Sequence, residues 1–383
     1  MTLFTFVLKN LARRRIRTAL TCVGIAVANG AVVALVGIAS GFERNFIEVF
    51  EGRGVDLVVV EGGITEQLTS SLDEGLVPRI RELPGVAHAT GMLLEVLAFE
   101  QEGLVGVMVQ GWAPECVLFE HLRVSSGRTL QPGDQRQALL GSILARNLKK
   151  KVGDTIEIDR EDFTIAGVFE SFNIFENGSI VVPLAELQRV MLRPRQLTAI
   201  AVLTTATDVD KTAVVTRVCQ EIESFSDDRG RRLRLTALPT RDYVSNTLQI
   251  RMAHAMAWVT STIALVIGAI GMFNTMMTSV LERTREIGVL RALGWRQSRI
   301  VRLVLLEAVV LGLLGAVAGT LLAVLLIRGM AEVPSVGGFI QGDTSLWVIG
   351  QGFAMALIVG LLGGGYPAWA AARLLPTEAL RHE

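Results

Sequence analysis

Four long apolar runs mark this chain, and a polar stretch of more than half its length separates the first from the other three. Ala19–Gly41 carries no charge, nor do Ala255–Leu281 and Leu346–Tyr366, while Leu303–Ile327 is interrupted only by Glu307. About 20 apolar residues at ~1.5 Å each cross the hydrocarbon core of a bilayer, so each run predicts a membrane span. The predicted spans cover 19–41, 252–281, 303–327 and 346–367. Glu307 is the only charge inside any of them, one turn within the boundary and near Arg302 and Arg299. A carboxylate there can pair or reach the interface.

The flanks give the orientation. Lys9, Arg13, Arg14, Arg15 and Arg17 precede the first run with no acid among them, which places the N-terminus in the cytoplasm. Within 1–18, Phe4, Val7, Leu8 and Leu11 share one helical face and Thr5, Lys9, Arg13 and Arg17 another. That pattern predicts an amphipathic helix lying in the membrane interface. The first run is longer than the apolar core of a signal peptide and reads as a retained span. Residues 42–251 then lie outside. At Glu282 the chain turns charged within one residue, with Arg283, Arg285, Glu286, Arg291, Arg296, Arg299 and Arg302 following. This returns 282–302 to the cytoplasm. Ile287, Leu290 and Leu293 recur at helical spacing there, and Gly294 stands where a helix would end. A short outer loop, 328–345, and a cytoplasmic tail, 368–383, complete the topology.

The outer segment alternates short β-branched runs with turn residues and helical stretches. Val55–Val60, Leu93–Phe99, Leu104–Gln110, Thr155–Ile158, Phe163–Phe169, Ser179–Val182 and Arg232–Leu238 predict strands. Leu76–Leu83 and Asp208–Phe225 predict helices, and Glu43–Glu51 continues the first span as a stalk. Gly153-Asp154 predicts a hairpin turn. Arg241–Arg251 predicts a helix running unbroken into the second span, to about Leu281. The small residues Gly268 and Gly271, Gly315 and Gly319, and Gly360 and Gly364 predict close helix approach, within the chain or across a dimer seam.

Composition agrees with a lipid-embedded protein. The 383 residues are 50% hydrophobic and 19% charged, with mean hydropathy +0.46. Net charge is zero, which gives no reason to expect nucleic acid as a partner. Cys22, Cys116 and Cys219 are too few for a disulfide framework or a zinc site, and Cys22 lies in a span, so only Cys116 and Cys219 are placed to bridge. His254 at the outer boundary has no second ligand beside it. No G-x-x-x-x-G-K-[ST] string, G-x-S-x-G or H-E-x-x-H occurs, and no lysine follows a glycine.

Four stretches carry a resemblance. ERTREIGVLRALG (Glu282–Gly294), LLGSILARNLKKKVGDTIEI (Leu139–Ile158), FTIAGVFES (Phe163–Ser171) and YPAWAAARLLPTEALRHE (Tyr366–Glu383) resemble the MacB/FtsX-type ABC transporter permeases. The resemblance implies a membrane α-helical protein with four transmembrane helices and a large mixed α/β extracytoplasmic domain in the periplasm. In that domain a small β lobe, about 104–200, is inserted into a larger lobe built from 41–103 and 200–245. It implies that 282–302 is a coupling helix docking on a separate ABC ATPase subunit. Glu282, Arg283, Thr284, Arg285, Glu286, Ile287, Gly288, Arg291 and Gly294 then serve that coupling, with Glu307 as its structural anchor in the membrane. The chain itself is expected to hold no cofactor or metal and to perform no catalysis; ATP-Mg belongs to the ATPase. A homodimer with two ATPase copies in the bacterial inner membrane is implied, working by mechanotransmission. The expected output is export of a drug, peptide, lipid or haem-like molecule, with a periplasmic adaptor and outer-membrane channel as further partners. Lipoprotein extraction towards a lipoprotein carrier, and an FtsX-like scaffold that activates a cell-wall hydrolase, are the alternatives.

Overall fold

With no charge to interrupt it, the first apolar run continues as helix well past its own end. A computed structural model describes residue 13 and residues 15–64, 66–99, 104–113, 116, 118–119, 122–171, 174–206, 210–227, 229–331 and 343–374. Most of the predicted interfacial helix, the outer loop and the tail lie outside these residues. Helix α1 spans Arg15–Glu51, 37 residues or about 55 Å. It stops where Gly54 takes φ +73° and the Val55 amide donates to the Phe50 carbonyl at 3.0 Å.

The chain divides into two compact units, Glu43–Arg251 and the remainder. In the first, β1 (Leu57–Glu61) is followed by β2 (Leu72–Asp73), α2 (Leu76–Arg81), β3 (Val86–Phe99) and β4 (Leu104–Trp112). Then come β5 (Arg123–Gly127), β6 (Gln137–Gly141), α3 (Ser142–Leu148), β7 (Thr155–Ile158) and β8 (Glu161–Glu170). After α4 (Ile174–Asn177), β9 (Ile180–Pro183) and α5 (Leu184–Val190) lie β10 (Gln196–Leu197), β11 (Ala199–Thr204), α6 (Lys211–Glu223), β12 (Leu235–Pro239) and α7 (Thr240–Asn246).

Ten of these strands form one sheet in the order β12-β1-β11-β3-β4-β9-β6-β8-β5, with β7 also on β8. The strands of the expected inserted lobe, β4 to β9, gather at one end of this sheet and continue it rather than forming a second one. β4 hydrogen-bonds to β3 on one side and, in parallel, to β9 on the other, Val109 facing Ile180 and Trp112 facing Pro183. Both halves share one core, in which Leu57, Val202, Val109, Ile180, Phe163 and Ile156 are fully buried. Burial of a strand on both faces favours unbroken apolar runs over alternation, as in β9 and β11. The predicted hairpin turn also moves. Gly153-Asp154 leads from α3 into β7, held to β8 by Ile165. The β7–β8 turn is Asp159-Arg160, both at positive φ, as a two-residue hairpin with right-handed strand twist requires.

Two helices enter and leave the sheet at neighbouring strands. α1 leads into β1, α7 leaves β12, and β1 and β12 are paired from Leu57–Pro239 to Glu61–Leu235. Arg241 at the start of α7 grips Glu51 at the end of α1, at 2.7 Å. The helix expected to run unbroken from Arg241 stops at Thr247, whose backbone is extended. Gln67 spans the break: its amide donates to the Tyr243 carbonyl and its oxygen accepts from the Thr247 hydroxyl at 2.9 Å. The next helix, α8, starts afresh at Leu248 and ends at Glu282.

The second unit holds the apolar part of α1, α8, α9 (Thr284–Ala292), α10 (Gln297–Ala331) and α11 (Leu346–Arg373). Four of its helices are long and apolar enough to cross a membrane. Glycines set their spacing. A Cβ on Gly30 would stand 3.0 Å from the Gly319 carbonyl oxygen, and one on Gly319 would collide with the carbonyl of Ala26. Gly312 and Gly360 meet Ala356 and Ala308 carbonyls in the same way across α10 and α11. Gly315, Gly319, Gly360 and Gly364 thus serve packing within the chain. Asn29 in α1 donates to the Ala316 carbonyl of α10 at 3.2 Å, a polar tie inside the bundle.

Candidate functional site

A helix that ends in lipid and restarts in water needs its termini satisfied, and the residues around α9 do this. α8 stops at Glu282, and Arg283, with φ −109° and ψ 14°, is the single linking residue. The Thr284 hydroxyl donates to the Leu281 carbonyl at 2.8 Å. At the far end Gly294 takes φ +91°, its amide donates to Arg291 and the Trp295 amide to Leu290 at 3.1 Å. This doubled closure is a Schellman motif, whose left-handed position favours glycine.

Two ion pairs fix the start of α9. Arg17 of α1 reaches Glu282 at 2.7 Å and the Ser279 hydroxyl at 3.1 Å. Arg283 turns inward to Glu307 of α10 at 3.1 Å, their side chains only 11% and 8% exposed. Arg283, expected to face an ATPase, is therefore an internal strut. Glu307 holds the link before α9, a contact that sequence proximity to Arg302 and Arg299 did not show.

The remaining predicted residues separate by face. Ile287 and Gly288 are buried, Arg291 is half-buried, and Arg285 and Glu286 are exposed. The Ile287–Leu290–Leu293 stripe does not all pack inward: Leu293 is 74% exposed, and Val289 joins it on the outer side. The predicted element 282–302 is shorter as a helix, because 297–302 already belong to α10. Between α9 and the ends of α8 and α10 lies a cleft of about 550 Å³. Its lining combines the buried apolar Met276, Val280, Ile300 and Val304 with the exposed Arg13 and Arg285.

The Glu43–Arg251 unit has a buried charge cluster that sequence gave no means of finding. Arg53, just past α1, pairs with Glu176 of α4 at 2.5 Å, and its guanidinium lies over Trp112, 4.8 Å from the ring centre. Burial pushes the Glu176 carboxyl up and the Arg53 guanidinium down, each opposed by the other's charge. Cys116 and Cys219 are free thiols, both pushed up to about 11 by burial, so the one bridge considered above is not formed. Among the described residues no group of three or more His, Cys, Asp or Glu side chains is placed to hold a metal ion.

Residues 18–220 match the MacB-like periplasmic core domain, and residues 258–376 match the FtsX-like permease C-terminal domain. The chain belongs to the MacB/FtsX family of ABC transporter permeases. It is 25% identical over its whole length to an ABC transporter permease of Methanocaldococcus jannaschii, 98% of which is covered. It is 29% identical, over 96% of its length and 58% of the relative's, to the macrolide export ATP-binding/permease protein MacB of Brucella melitensis. The pyoverdine export ATP-binding/permease protein PvdT of Pseudomonas savastanoi pv. phaseolicola is 27% identical, over 96% of this chain and 58% of that one. The chain thus spans about three-fifths of the length of these two exporters. As a permease of this family it is a membrane protein with an extracytoplasmic domain, and α9 lies within the FtsX-like part.

Proposed function

We propose that this permease converts the movements of a separate ABC ATPase into movements of its outer domain, and that α9 is the coupling helix. The observation that carries this reading is a short helix fastened at both ends, with an exposed face of Arg285, Glu286, Val289, Leu293 and Arg296. A helix held by Arg17–Glu282, Arg283–Glu307 and a Schellman turn moves together with the spans that hold it. Nucleotide then biases two positions of α9, provided the ATPase binds one of them better. Two chains and two ATPases, with ATP-Mg on the ATPases, make up the working unit in the inner membrane. α8, the most exposed of the four apolar helices, supplies the dimer face together with α1. Export is the output we favour over lipoprotein extraction or hydrolase activation, supported by relatives named for macrolide and pyoverdine export.

Glu286→Lys tests the reading. Glu286 is exposed, so the variant should fold and keep its thermal stability. Co-expressed with a partner ABC ATPase that supports export by the wild-type chain, the variant should lose ATP-driven export while the ATPase still turns over. Undiminished export in that variant would remove α9 from the coupling path.

A further inference from the structure

The cleft beside α9 combines features that neither packing nor an ATPase contact requires. Its lining by Met276, Val280, Ile300 and Val304 is hydrocarbon, and its volume of about 550 Å³ is that of a ligand site. It lies where the uncharged run of α8 gives way to arginines, the depth at which lipid head groups meet acyl chains. Three arginines, Arg13, Arg283 and Arg285, line it against two carboxylates, Glu286 and Glu307, which leaves a positive excess. Arg283 is committed to Glu307, and the neighbouring Arg17 to Glu282. Arg13 and Arg285 have no ion pair among the described residues, yet both line the cleft. Two arginines lining an apolar hollow match a phosphodiester that carries a hydrocarbon chain. Basic pockets between membrane helices on the cytoplasmic side recognise anionic lipid in this way.

We propose that this cleft binds an anionic phospholipid of the cytoplasmic leaflet, its phosphate between Arg13 and Arg285 and the start of one acyl chain on Val280 and Val304. A zwitterionic head group is disfavoured because its ammonium would face the arginines. Because Arg285 stands on α9, the bound lipid ties that helix to the leaflet, a role that rests on the coupling reading above only for its consequence and not for the binding itself.

The test uses the full-length chain in detergent, titrated with phosphatidylglycerol or phosphatidylcholine and read by native mass spectrometry. Phosphatidylglycerol should be held about thirtyfold more tightly, the factor expected from two arginines at the surface. Arg13→Gln with Arg285→Gln should abolish the difference, and Arg13→Lys with Arg285→Lys should keep most of it. Arg299→Gln, an exposed arginine outside the cleft, should leave it intact. Equal retention of the two lipids, an unchanged preference in the double Gln variant, or an equal loss in Arg299→Gln would each overturn the proposal. Displacement by inorganic phosphate alone would do the same, assigning the site to the free ion. Gel filtration checks that the variants fold; should the double Gln variant fail there, the wild-type lipid comparison and Arg13→Gln alone decide.

Discussion

Arg283 and Glu307 illustrate how a charge can be legible in sequence and its partner not. An arginine beyond a span reads as a topology marker, and a glutamate inside a span as an anomaly. Only folding brings the two to 3.1 Å, because α9 turns the chain back on itself between them. Removing one member of a buried pair strands the other, at about 3–5 kcal/mol, whereas replacing both with apolar residues is close to neutral. Glu307→Ala should therefore lower the thermal stability of the detergent-solubilised protein sharply, and Arg283→Leu with Glu307→Leu should recover most of it. The same melting curves carry both outcomes. Cys116 and Cys219 make a second prediction at this scale. With the thiol pushed up to about 11 by burial, the reactive thiolate at pH 8 is on the order of one part in a thousand. A water-soluble maleimide should leave both unlabelled in the native protein at pH 8 and label both after denaturation. Prompt native labelling would show that these cysteines are open to solvent.

Elements were legible where a single physical demand selects the residues. The bilayer demands long uncharged runs, and α1, α8, α10 and α11 each contain one. Where the demand is non-local the chain was silent. β11 is an apolar run that no alternation marks, and the parallel β4–β9 pairing depends on strands nearly 70 residues apart. The β7–β8 turn escaped because Asp159-Arg160 contains no glycine, while nearby Gly153-Asp154 offered the better-looking turn. The break before α8 is bridged by Gln67, a residue 180 positions from Thr247. The end of α9, in contrast, could be read directly, since Gly294 is favoured by its φ of +91°. Gly294→Ala should destabilise the protein by about 1 kcal/mol, measurable as a lowered melting point, and Gly294→Asn should cost less.

Taken whole, the molecule reads as a permease whose two compact units divide the work between lipid and water. The sides on which α9 and α6 face water are open to direct measurement. On a background lacking Cys22, Cys116 and Cys219, Arg296→Cys should react with an impermeant maleimide only from the cytoplasmic side. Arg217→Cys, exposed on α6, should react only from the outside. Labelling of Arg296→Cys from outside would reverse the topology and end the coupling proposal with it. The two polypeptide connections to the lipid-embedded helices attach to adjoining strands at one margin of a ten-stranded sheet. A pull applied to one connection alone becomes shear along the β1–β12 hydrogen bonds, whereas a pull shared by both carries the sheet as a rigid plate. The Arg241–Glu51 clasp ties the two connections together, and so favours the plate.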